Sequence, residues 1–132
     1  MALKIAVSGK GGTGKTTVAA AMCLALAKEQ FEVLALDCDP DSNLADALGY
    51  PREMLANMRP LAALKELIDE RVGSEESGML KLNPYVADIP DTHCHRHGNF
   101  RLMVMAGADK GGGGCDCRQS ALMRRVVTEV LV

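Results

Sequence analysis

Apolar residues fall along this chain in short runs separated by polar and glycine-rich stretches, and their spacing predicts alternating strands and helices. Leu3–Ser8 reads as a buried strand, and Lys15 to about Glu29 as a helix. Val18, Ala19, Ala20, Ala21, Met22, Cys23, Leu24, Ala25, Leu26 and Ala27 are small or apolar on nearly every side, which predicts a helix packed between a sheet and its neighbours. Glu32–Asp37 reads as a second strand. A short helix over Asn43–Leu48 is ended by Gly49 and Pro51. Pro60 suits the first turn of another helix running to about Val72, with Leu61, Leu64, Leu67, Ile68 and Val72 on one face. Residues 73–78 read as an exposed loop, and Asn83–His97, with Pro84, Pro90 and Asp91, as irregular. Arg101–Ala106 is a third apolar strand. After a glycine run, a helix from about Arg118 places Leu122, Met123, Val126, Val127, Val130 and Leu131 together.

Strand, helix, strand order with apolar strands predicts an α/β fold: a parallel sheet with right-handed crossovers, flanked by helices. At 132 residues the chain is long enough for one domain with a core, so 1–132 is read as part of a single domain. The apolar pattern runs through Val130, Leu131 and Val132 without a helix stop signal, which suggests an N-terminal part of a larger α/β domain, incomplete at its C-terminus.

The first predicted strand leads into Gly9-Lys10-Gly11-Gly12-Thr13-Gly14-Lys15-Thr16-Thr17, which fits the G-x-x-x-x-G-K-[ST] phosphate loop. Glycines let the main chain approach phosphate closely, and successive N–H groups then form an anion nest at a helix N-terminus. Lys15 is expected to reach the β- and γ-phosphates of ATP, and Thr16 to offer its hydroxyl to Mg²⁺. The fold class is therefore a P-loop NTPase. The second strand ends in Asp37-Cys38-Asp39-Pro40-Asp41. Ligands in open α/β sheets bind beyond the carboxyl ends of the strands, so this acidic loop is expected to face the phosphate loop. Asp37 or Asp39 can hold Mg²⁺ through water, and Asp39 can orient the attacking water.

Composition narrows the partners. Apolar residues make up 48% and charged residues 24%, ordinary for a soluble domain. A net charge of −2 and only two Tyr, two Phe and no Trp argue against nucleic-acid binding by a basic field or by base stacking. Met1-Ala2-Leu3-Lys4 runs straight into the first strand, so no signal peptide is expected, and no apolar run approaches a membrane span. Five cysteines beside a phosphate loop suggest a reducing cytoplasm, where thiols bind metal or stay reduced.

Cys115-Asp116-Cys117 follows four glycines at the carboxyl end of the third strand. Two thiolates at this spacing chelate one soft metal ion, and thiolates just before a helix N-terminus are stabilised. One chain supplies two ligands where a tetrahedral site needs four, so a twofold dimer is the simplest completion. Zn²⁺, Ni²⁺ and an iron–sulfur cluster all suit four thiolates. His93, His95 and His97 alternate in a way that would share one side of an extended segment. The irregular flanks favour a polar loop there instead.

Lys10, directly after the first glycine, makes this a deviant phosphate loop that resembles the septum-site, plasmid-partition and nitrogenase iron protein ATPases. In that family the added lysine reaches the partner's nucleotide, so the resemblance implies a homodimer closed by ATP, with Lys10, Lys15 and Asp39 as catalytic residues. The D-x-D-P pattern resembles the family's switch I. Lys81–Pro90 and Gly112-Gly113-Gly114-Cys115-Asp116-Cys117 look like the carbon monoxide dehydrogenase maturation ATPases of the CooC type. This likeness covers most of the chain. It implies an ATP-dependent metallochaperone serving carbon monoxide dehydrogenase or acetyl-CoA synthase, with Ni²⁺ or Zn²⁺ at Cys115 and Cys117 on the dimer interface. Arg118-Gln119-Ser120 departs from the Pro-Glu-Asn type continuation common there. Family members run to about twice this length and carry a second acidic strand, switch II and a base-recognition loop, none of which is found here. Rival readings are a positioning ATPase on membrane or DNA, an iron–sulfur electron donor, and a degenerate fragment.

Overall fold

The computed structural model describes residues 3–41, 43–106 and 117–130. Its three strands are β1 (Val33–Asp37), β2 (His95–His97) and β3 (Phe100–Val104), in the spatial order β1-β3-β2. β1 and β3 run parallel with Val33 opposite Phe100 and Asp37 opposite Val104, and the Met105 N–H continues the ladder to Asp37 O at 2.9 Å. β2 pairs antiparallel to the other edge of β3. The helices are α1 (Lys15–Lys28), α2 (Leu44–Ala47), α3 (Arg52–Asn57), α4 (Lys65–Val72), α5 (Ile89–Thr92) and α6 (Cys117–Val130), with a 3₁₀ turn at Leu61–Ala63.

Strand alternation explains the layering. Along β3, Phe100, Leu102 and Val104 join Ala20, Ala35, Leu44, Ala45, Leu48 and Tyr50 in one buried cluster. Met103 and Met105 join Leu61, Leu67, Ile68, Val72, Leu122 and Val126 in the other. Period-two side chains thus cover the sheet with α1 and α2 on one face and α4 and α6 on the other. Such double coverage is why these strands read as near-continuous apolar runs.

The α/β class stands as expected, and the expected parallel pairing is found between β1 and β3, while β2 adds an antiparallel edge. Four local expectations need correction. Leu3–Ser8 is not a strand: residues 3–10 take no regular structure, and Leu3, Ile5 and Val7 are exposed. Among the described residues no strand pairs with it, and an unpaired segment leaves its N–H and C=O groups to water. α1 forms where expected but buries only Ala20, while Val18 and Leu24 are exposed, because β1 and α2 cover just one side of it. The expected Pro60–Val72 helix is broken at Leu64, whose ψ of 75° is not helical. The Asn83–His97 stretch is more ordered than its prolines suggest. Pro90 sits in the first turn of α5, where a missing N–H costs nothing, and Gly98 at φ 61° makes the tight turn of the β2–β3 hairpin. No helix among the described residues is long and apolar enough to cross a membrane.

Candidate nucleotide site

The phosphate loop enters α1 through Gly14, whose φ of 89° lies in the left-handed region, as does that of Gly12 at 78°. Only glycine takes such angles without strain. Lys10 O accepts both the Thr13 N–H at 3.3 Å and the Thr13 hydroxyl at 2.6 Å, so residues 10–13 close into a tight turn. The space at Gly9 is closed as well: a Cβ there would meet Thr13 Oγ1 at 2.9 Å. Lys15, Thr16 and Thr17 occupy the first turn of α1, where main-chain N–H groups lack helical acceptors and the helix dipole favours an anion. Lys10 and Gly11 lie exposed on the loop.

The acidic loop after β1 does reach the phosphate loop. Lys15 Nζ lies 3.4 Å from Asp39 Oδ2. Asp39 Oδ1 accepts the Asp41 N–H at 3.0 Å. That main-chain bond first, and then Lys15, hold the Asp39 carboxyl below the usual carboxylate range. Asp37 is buried, 6% exposed. Its Oδ1 accepts the Asp39 N–H and its Oδ2 the Leu44 N–H, both at 3.2 Å. Of the two aspartates proposed for Mg²⁺, Asp39 thus sits beside Lys15, while Asp37 fastens the loop from within and anchors the start of α2. Partial burial, then the neighbouring Asp37 carboxylate, push the Cys38 thiol up, which keeps it protonated.

Cys115 lies outside the described residues. Cys117 opens α6 and is exposed. Arg118, which departs from the expected pattern, proves to be an anchor. It donates to Asp69 Oδ1 and Glu75 Oε1, each at 2.9 Å, and to Gly73 O at 3.4 Å, tying the first turn of α6 to the end of α4. No spacing rule identifies such a partner set, since Asp69 and Glu75 are more than forty positions away. The histidines do not converge. His93 pairs its Nδ1 with Thr92 Oγ1 at 2.7 Å, and the His97 ring packs on Tyr50 and Phe100 at centroid distances of 5.1 and 5.6 Å. Among the described residues no group of three His, Cys, Asp or Glu side chains has metal-site geometry.

A glycine loop opening a helix, a lysine in its first turn and an aspartate delivered from the next strand define a P-loop nucleotide-binding domain. Residues 4–129 match the CobQ/CobB/MinD/ParA nucleotide binding domain, and the chain belongs to that family. Within it, the chain is 40% identical over 98% of its length to the carbon monoxide dehydrogenase accessory protein CooC of Rhodospirillum rubrum, of which it covers 50%. It is 37% identical, over 98% of its length and 50% of the relative, to an uncharacterized ATP-binding protein of Methanocaldococcus jannaschii. An ATPase ASNA1 homolog of Babesia bovis is 29% identical over 90% of the chain and 32% of the relative. The chain spans about half the length of the first two relatives.

Proposed function

We propose that this chain is the nucleotide-binding part of an ATP-dependent maturation factor that helps load nickel into carbon monoxide dehydrogenase or a related enzyme. The observation that carries the reading is the meeting of Lys15 with Asp39 beside the phosphate loop, in a chain 40% identical to CooC over 98% of its length.

In this reading the N–H groups of Gly11 to Thr17 cradle the phosphates of ATP, and Lys15 neutralises charge on the β- and γ-oxygens. Thr16 and Asp39 hold Mg²⁺, the latter through water, with Asp37 behind as the anchor of their loop. The donor set suits this hard cation: a hydroxyl in the first turn of α1 and a carboxylate on the facing loop. Mg²⁺ supplies charge neutralisation on the phosphates. Asp39 also orients the attacking water. Lys10, exposed on the loop, reaches the nucleotide of a second copy, so ATP closes a homodimer. Closure brings Cys115 and Cys117 of two copies together around Ni²⁺ or Zn²⁺, and hydrolysis reopens the dimer and releases the metal to the client. Cys38 of the acidic loop and Ser120, Met123 and Arg124 of α6 line one depression, which supports a mechanical link between the nucleotide loop and the helix that Cys117 begins. The work is cytoplasmic and needs neither nucleic acid nor membrane.

Anaerobic native mass spectrometry of the full chain with and without ATP and Ni²⁺ tests this. One metal per dimer, lost in Cys115→Ser or Cys117→Ser and altered by ATP, is the expected result. A nucleotide-dependent dimer that ignores both cysteines would overturn the metal role while leaving the ATPase reading intact.

A further inference from the structure

The contact between Lys15 and Asp39 sets two demands on one ammonium group. Lys15 is the cation the phosphate loop offers to nucleotide, yet its Nζ lies 3.4 Å from Asp39 Oδ2. The Asp39 side chain does not reach there by chance of rotamer. Its loop is fixed at both ends, by Asp37 Oδ1 accepting the Asp39 N–H and by Asp39 Oδ1 accepting the Asp41 N–H. One carboxylate oxygen is thereby committed to the main chain, and the other is aimed at Lys15. We infer that Asp39 is an internal competitor of the nucleotide phosphates for Lys15, occupying the lysine until phosphate displaces it.

The inference rests on the nucleotide-binding reading and adds an order of events to it. Phosphate arriving in the loop brings two or more negative oxygens to Lys15, and the same charge repels the Asp39 carboxylate. The lysine passes from carboxylate to phosphate. The Asp39 side chain, freed from the ammonium but still held by the Asp41 N–H, becomes available to water and Mg²⁺. Loop occupancy and the position of the acidic loop are then linked through one exchange of partners, with no separate signal. Because both side chains of the pair are about one-third exposed, the exchange has a low cost and leaves binding reversible.

The test is titration calorimetry of ADP binding to the full chain with metal chelated, so that Mg²⁺ ligation by Asp39 plays no part. Asp39→Asn is expected to bind ADP roughly two- to fivefold more tightly than the parent, the range of a partly exposed ion pair. Simple charge repulsion would also tighten binding, so the same substitution is made in a Lys15→Met background. Competition predicts that the gain disappears there, and a gain that persists overturns the proposal. Should Lys15→Met bind ADP too weakly to measure, NMR of the selectively labelled Lys15 side chain decides. Without nucleotide its resonance should move on Asp39→Asn, and with ADP bound the same substitution should leave it nearly unmoved; a resonance that ignores Asp39→Asn without nucleotide overturns the proposal. Unchanged or weaker ADP binding by Asp39→Asn overturns it too. A parent chain that binds no nucleotide sinks this inference together with the ATPase reading, whereas a parent that binds and an Asp39→Asn that does not differ sinks this inference alone.

Discussion

Arg71 grips Asp88 through two parallel contacts, Nη1 to Oδ1 and Nη2 to Oδ2, each 2.7 Å long. The same guanidinium donates to Tyr85 O at 2.9 Å and lies 5.8 Å from the centre of the Tyr85 ring. One arginine on α4 therefore holds the whole turn that leads into α5. Paired hydrogen bonds from a planar fork fix direction as well as distance, which lysine cannot reproduce.

That pair makes the fold acid-sensitive in a defined window. The Arg71 hydrogen bonds hold the Asp88 carboxyl at about 2, below its ordinary 3.8. The folded state thus favours the charged carboxylate more than the unfolded chain does. The resulting stability is present above the unfolded value and is lost as pH falls from about 4 toward 2. Thermal melts across this range should show the midpoint falling with acid in the parent. Asp88→Asn should start lower at neutral pH and flatten this part of the profile. An equally steep acid fall in Asp88→Asn would show that other carboxylates carry it.

Gly9 separates nucleotide binding from folding. A methyl group at this position would press on Thr13 Oγ1 at 2.9 Å and lie 3.5 Å from Lys15 Cγ. Thr13 closes the turn by bonding Lys10 O, so the disturbance spreads through the loop and stops there. Gly9→Ala should melt like the parent yet bind ATP at least about tenfold more weakly, as expected when one or two hydrogen bonds to a charged phosphate are lost. Calorimetric titration beside a thermal melt checks both halves, and parent-like affinity would mean that the loop opens without resistance.

Two other glycines differ in a way that only the tertiary structure reveals. Gly73 ends α4 at φ 118°, and a Cβ there would run into the main-chain oxygen of Met79. Gly78, at φ 61°, has open space around it. Gly73→Ala adds a main-chain clash to the strain of a positive φ and should cost about 2–4 kcal/mol. Gly78→Ala bears the strain alone, about 1 kcal/mol. Urea unfolding of the two variants should preserve this order, and equal losses would refute the clash.

How far these features are legible in the sequence depends on the range of the interaction. The phosphate loop and α1 are local: their glycines, lysine and helix formers act within about ten residues, so spacing alone places them. The β1–β3 pairing follows from two apolar runs. By contrast, Leu3–Ser8 has the composition of a buried strand, and its exposure is decided by whether a neighbouring strand pairs with it, which its own residues do not encode. The β2–β3 hairpin is signalled only by Gly98-Asn99 ahead of the apolar run of β3, since His95-Arg96-His97 is not a strand-forming sequence and the prolines upstream obscure it. At the site, motif knowledge placed Asp37 and Asp39 together. Their division of labour, one buried against main-chain N–H groups and one facing Lys15, is set by the turn of the loop after β1, which the Asp37 and Asp39 carboxylates themselves hold through main-chain N–H groups. Arg118 was legible only as a departure, because its partners come from α4 and the loop after it, far away in sequence.

Arg118 is where α6, and with it Cys117, is tied to the rest of the molecule. Its side chain is 11% exposed and bridges Asp69 on α4 with Glu75 beyond it. Glu75 is itself 80% exposed, so the Asp69 bond and the contact with Gly73 O carry most of the hold. Removing the guanidinium leaves Asp69 without that donor and frees the first turn of a helix whose later turns stay packed through Leu122 and Val126. Arg118→Ala should therefore cost about 1–2 kcal/mol in global stability. Its local effect should be larger: amide hydrogen exchange should speed up over residues 121–123, the first with helical acceptors, and stay near parental rates around Val126. Arg118→Lys should recover little, since one ammonium cannot reach the three oxygens in the planar arrangement of the guanidinium. If exchange accelerates evenly along α6, the helix is held by its apolar face alone and Arg118 is not its anchor.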